Sequence, residues 1–278
     1  TMKSKISFFN AGLFRSTLRR FWPLWTIHFA GWLLFLPVLT LMNNLGPNKS
    51  TKFIFTICES AVFASSVVAF IMAILAAMAV FSYLDASRSA CMMHALPLRR
   101  EALFFTNYLS GLSFLLLPNA AIFGLTLAGE AVGNCLDLKA LAIWLLVQCA
   151  SCLFFYSFAV FCAMFTGHLL ALPVFYGVLN CLAAIISALM DSVLYLFLYG
   201  YNGLSGTTQQ AVAWLTPLEK LSSAVSWTQA ADSGAYQLAQ PAVVAVYAGV
   251  GVALSAAALL IYRARQMESA GDCLLYTS

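Results

Sequence analysis

Few residues in this chain are of types that do chemistry, and they do not assemble into a reacting set. Gly203-Leu204-Ser205-Gly206 has the G-x-S-G form of an intramembrane serine nucleophile. Such a serine needs a histidine base on a later span, yet His28, His94 and His168 all precede it. Cys149 and Cys152 have C-x-x-C spacing, but no second Cys or His pair stands beside them to complete a metal site. Neither H-E-x-x-H nor G-x-x-x-x-G-K-[ST] occurs. The expectation is therefore no catalytic residue, no metal and no cofactor on this chain. An ATP-driven step would need ATP and Mg held by another polypeptide.

The remaining polar residues sit singly inside apolar runs. His28 is a functional candidate by position, because ionisable groups inside a membrane are costly. No acid lies in its own span, which favours packing. Gln148 and Asn180 read as interhelical glue. Asn119 stands beside Pro118, where a mid-helix proline frees a carbonyl. Glu59 and Asp191 fall near span ends, and the missing central acid counts against an ion-coupled carrier.

The elements that carry these residues follow from composition. Of 278 residues, 62% are hydrophobic and 9% charged. Soluble domains carry roughly 25% charge, so a water-soluble fold is excluded. The net charge of +4 does not call for nucleic acid. The pattern predicts an all-α, polytopic membrane protein with six spans of about 20 or more residues. They are placed near 22–42, 53–84, 103–128, 138–165, 169–189 and 241–262, in a single transmembrane domain over 1–272. No cleavable signal pattern precedes them, since the first apolar run is long and follows a basic segment. Residues 3–22 predict an amphipathic surface helix, with Arg15, Arg19 and Arg20 toward lipid phosphate. Thr216-Pro217-Leu218-Glu219 has capping-box form and predicts a short amphipathic helix before span 6, with Trp214, Leu218, Leu221 and Val225 on one side. In span 2, Ala61, Ser65, Ala69, Ala73 and Ala77 recur every fourth residue, a stripe that admits a close helix neighbour. Gly249, Gly251 and Ser255 are the matching points in span 6. Ser65, Ala69, Ala73, Tyr176 and Asn180 are the residues expected to line a path or pack helices.

Six spans put both ends on one side. Ten of the fourteen Lys and Arg then fall on that side, which the positive-inside rule makes cytoplasmic. The densest charged interruption, Asp85 to Glu101, lies there too. It holds Arg88, Met92, Met93, His94, Leu96, Pro97, Arg99, Arg100 and Glu101. Adaptable apolar groups set among charges suit a docking patch for a soluble partner. Pro97 fits the first turn of a helix, and Glu101 suits its positive end.

His94-Ala-Leu96-Pro97-Leu-Arg-Arg100-Glu101-Ala-Leu103-Phe104 resembles a segment of Bacillota-type permease subunits of type-2 ATP-binding-cassette transporters, the exporter-like family. The start Arg19-Arg20-Phe21-Trp22-Pro23 is similar to the family's membrane-surface helix. The resemblance covers about residues 6–272. It implies an export permease in the cytoplasmic membrane, paired with a second permease and with ATP-binding subunits. Residues 85–101 would be the coupling helix on the ATPase, and spans 2 and 5 would border the path. The runner-up is a carrier not driven by ATP, or a membrane scaffold. Cys273 to Ser278 departs from the family pattern and reads as a truncation or assembly scar.

Overall fold

The computed structural model describes residues 9–45, 51–84, 99–133, 138–224, 227–229, 236–238 and 240–264. Ten helices and one short hairpin occur among them. The order is α1 (Ala11–Arg20), α2 (Trp22–Phe35), α3 (Pro37–Leu45), α4 (Thr51–Phe81), α5 (Arg100–Gly133), α6 (Leu138–Phe165), α7 (Ala171–Phe197), α8 (Gly206–Leu215), α9 (Pro217–Ala224), β1 (Trp227–Gln229), β2 (Tyr236–Leu238) and α10 (Pro241–Ala264). Six segments are long and apolar enough to cross a membrane. The protein is an all-α polytopic membrane protein.

The first span is broken where proline requires it. Pro37 has no N–H, so the α2 ladder ends and α3 restarts. The Thr40 hydroxyl donates to the carbonyls of Leu36 (2.9 Å) and Pro37 (3.0 Å), satisfying groups that lipid could not. Pro23 similarly separates α1 from α2 at Phe21, whose N–H donates to Thr17 O. Asn10 caps α1 by accepting from Leu13 N at 3.1 Å. Its own N–H donates to Thr106 Oγ1. Phe21 meets Phe114 edge-on at 6.4 Å, so α1 follows the opening turns of α5. Arg15, Arg19 and Arg20 are exposed on this helix while Thr17 is buried.

The core is organised around α6, which packs on α4, α5 and α10. Small residues allow it. Ala61, Ala69, Ala73 and Ala77 of α4 are fully buried, as is Ser65, whose hydroxyl donates to Ala61 O. A Cβ on Gly251 of α10 would lie 2.9 Å from the Phe154 Cα of α6, so only glycine permits that approach. A Cβ on Gly111 of α5 would run into the Tyr156 hydroxyl. Gly249, expected as a close-packing point, has nothing near it, and Ser255 is half-buried.

Span 4 coincides with α6. Span 5 does not end at 189. Helix α7 runs to Phe197, and the Asp191 carboxylate, placed near the span end from sequence, is satisfied inside it: its Oδ1 accepts from the Tyr201 hydroxyl (2.6 Å) and Leu204 N (3.2 Å). The turn so tied uses Gly200 and Gly203 at φ +83° and +92°. The expected single helix before span 6 is two, α8 and α9, joined at Thr216. The Thr216 hydroxyl donates back to Val212 O at 3.0 Å. After α9 comes an antiparallel pair, with Trp227 opposite Leu238, that the sequence pattern did not predict. Val225 and Asp232–Gly234 lie outside the described residues.

Candidate polar site in the helix bundle

Four residues from three distant parts of the chain meet on one helix-crossing region. His28 of α2 lies within one hydrogen bond of Asn119 of α5, Nε2 to Oδ1, at 2.9 Å. The other side of that amide, Nδ2, donates to Cys152 Sγ of α6 at 3.7 Å. Gln148 Nε2, one turn earlier on α6, donates to the same sulfur at 3.6 Å. All four side chains are buried. Because Asn119 Oδ1 accepts, His28 carries its proton on Nε2, and Nδ1 is left as an acceptor. His28 Nδ1, Gln148 Oε1 and Ser151 Oγ have no partner among the described residues.

Local sequence explains the placement. Pro118 occupies the interior of α5 just before Asn119. Cys152 is small enough to let two amides converge on it. Beside His28 a cavity of about 230 Å³ lies between α2 and α4, walled by Gly31 and Trp32 on one side and by Ala64, Val68 and Met72 on the other. Trp32 and Trp144 meet edge-on at 5.2 Å just beyond. The set is uncharged as bonded. It can pin α2, α5 and α6 together, and it can accept or donate a hydrogen bond. It holds no nucleophile–base pair.

The other sequence-flagged residues resolve as follows. Tyr176 is buried, stacks on Phe70 at 4.7 Å and donates to Phe70 O. Asn180 donates to Tyr176 O one turn back on α7. Ser65, Ala69 and Ala73 are fully buried in the bundle and line no open space. Ser205 is a helix cap: its Oγ accepts from Thr208 N. His168 closes the α6–α7 turn, its Nδ1 accepting from Leu170 N. Beyond α7, the hydrogen bond to Asp191 pushes the Tyr201 phenol up to about 12, an acid made weaker by a carboxylate beside it.

No protein family, characterised protein or solved structure matches the chain.

At the end where α1 meets α5, Arg99 and Arg100 open α5, and Glu101 pairs with Arg263 at 2.9 Å. Tyr83 donates to the Tyr262 hydroxyl at 3.2 Å. Arg88, Met92, Met93, His94, Leu96 and Pro97 lie outside the described residues. No metal-ligand cluster occurs among the described residues. Sequence reasoning missed Glu130, which is fully buried in α5. The predicted span ended at Ala128, two residues short, and the run of apolar residues gave no signal that the helix continued to Gly133. Sequence reasoning flagged His28, Asn119 and Gln148 one by one. Their meeting is a tertiary fact.

Proposed function

We propose that this chain is the membrane permease subunit of an ATP-binding-cassette export system of the type-2 kind. It moves substrate across the cytoplasmic membrane with ATP hydrolysed by a separate subunit. Both termini and residues 85–101 face the cytoplasm, and a second permease completes the path. The carrying observation is the bracing around that segment. Its preceding residues, Tyr83 and Leu84, are buried against the bundle, and Tyr83 holds the end of α10 through Tyr262. Its last residue, Glu101, holds α10 through Arg263. Phe104 packs against Phe81 and Tyr262 at 5.8 and 5.4 Å. A push on 85–99 thus has a stiff route into α4, α5 and α10 together, as transmission from a motor requires. Helix α7 fits a path shared between two permeases, because most of its surface is uncovered by the rest of the chain.

The test is co-purification with the ATP-binding subunit. Replacing Arg99 and Arg100 with Glu, or Leu96 with Asp, releases that subunit while membrane insertion is retained. Undiminished co-purification in all variants overturns the docking assignment.

A second reading, a carrier not driven by ATP, has one observation in its favour. Glu130 supplies a buried carboxylate near the end of the α5 span, a costly placement of the kind that marks functional residues. It stands eleven residues from Asn119, about 16 Å along α5, so it is separate from the His28 cluster. Substrate movement driven by a proton gradient without ATP, and abolished by Glu130→Gln, would favour this reading.

A further inference from the structure

A space opens at the junction of α1, α2 and α5. It has a volume of about 640 Å³, within the range of ligand-sized pockets. Its rim carries Arg15 and Arg19, one turn apart on α1. Below them, Trp22, Trp25 and Phe29 form one wall. Leu117, Pro118 and Ala121 of α5 form the other. Apart from the two arginines and Ser113, every residue lining the groove is apolar.

Among the described residues, no acid compensates the charge of the two arginines. The chain has no Asp or Glu before Glu59. Neither arginine has an acidic partner among the described residues, where the one ion pair is Glu101–Arg263. Two guanidinium groups at i and i+4 repel each other on a helix. An anion between them removes that repulsion and takes charge-assisted hydrogen bonds from both. Trp22 and Trp25 have the amphipathic rings that settle at the headgroup level of a bilayer. A cationic rim over an apolar slot is complementary to an amphiphile with a negative head.

We propose that this groove is a binding site for one anionic phospholipid, its phosphodiester held between Arg15 and Arg19 and an acyl chain lying between Trp22, Trp25 and the Leu117–Ala121 face of α5. The site differs from the general attraction of a basic helix to a charged bilayer. Arg20 is also exposed on α1, but it is not part of the groove; it lies over the Phe21 ring at 5.3 Å. Arg15 and Arg19 should therefore matter where Arg20 does not. The inference does not depend on whether an ATPase drives the protein.

The experiment is native mass spectrometry of the full chain in detergent, with phosphatidylglycerol or phosphatidylcholine added at equal concentration. One basic residue near an anionic lipid surface is worth about fivefold in affinity, so the unmodified protein should retain phosphatidylglycerol at least about tenfold better. Arg15→Gln with Arg19→Gln removes the preference, and Arg20→Gln keeps it. Ala121→Trp fills the slot and lowers retention of phosphatidylglycerol with all three arginines intact. Equal retention of both lipids by the unmodified protein overturns the site. So does a loss in Arg20→Gln equal to that in the Arg15/Arg19 variant, which would make the effect diffuse charge. Unchanged retention in Ala121→Trp overturns the acyl slot, and displacement of the lipid by millimolar inorganic phosphate alone does the same.

Discussion

Helices α6 and α7 are neighbours in sequence, 28 and 27 residues long, and equal in mean hydropathy. Yet 61% of the α6 window is buried inside the protein and only 17% of the α7 window. Hydrophobicity does not separate a central membrane helix from a peripheral one, because lipid tails are as apolar as leucine. Nor does the supply of small and polar residues, since α7 also carries Gly177, Asn180, Cys181, Ala183, Ala184, Ser187 and Ala188; what differs is how many of them are buried. α6 buries Gln148, Ser151, Cys152, Ser157, Cys162 and Ala159 along with its aromatics. α7 buries Leu172, Tyr176 and Asn180 alone, all on the side toward α6 and α4.

The largest contrast should come from truncating a large side chain on each helix. Trp144→Ala removes a fully buried indole from α6 and should cost about 3–5 kcal/mol. Leu189→Ala on α7, where the side chain is mostly exposed, should stay within about 0.5 kcal/mol. Thermal unfolding in detergent measures both. Similar losses would mean that α7 is packed more tightly than the structure has it.

A finer probe adds one methyl group instead. Gly111→Ala drives a Cβ into the buried Tyr156 hydroxyl, and overpacking of that kind should cost about 1–3 kcal/mol. Gly177→Ala on α7 meets nothing within 4 Å and should be neutral or slightly stabilising. The melting temperatures of the pair decide it.

The smallest effect belongs to the polar cluster. Asn119→Ala leaves His28 Nε2 and Cys152 Sγ without their shared partner. Hydrogen bonds between membrane helices average about 0.6 kcal/mol and reach about 1.7, and the loss should fall in that range. A loss well above it would show that the cluster does more than pin α2 to α6.

How far the sequence could be read follows from the same contrast. All six spans were legible, since a run of apolar residues is a local property. α6 was placed to the residue, because its apolar run begins at Leu138 and stops at the Thr166-Gly167 turn. α7 was cut eight residues short, just before Asp191. Tyr201 and Leu204 satisfy that carboxylate from a later turn. The 227–238 hairpin escaped because three-residue strands are too short to alternate visibly. Tyr176 and Asn180 were marked as path or packing, and only the fold places them against α6 and α4. The buried arrangement of His28, Asn119 and Cys152 spans 124 positions and has no local signature.

The account turns on which side of the membrane the α4–α5 connection occupies. With Cys91 kept as the sole cysteine, a membrane-impermeant maleimide should fail to label intact cells and should label them after permeabilisation. Labelling of Cys91 in intact cells would contradict a cytoplasmic docking segment, and the permease reading with it.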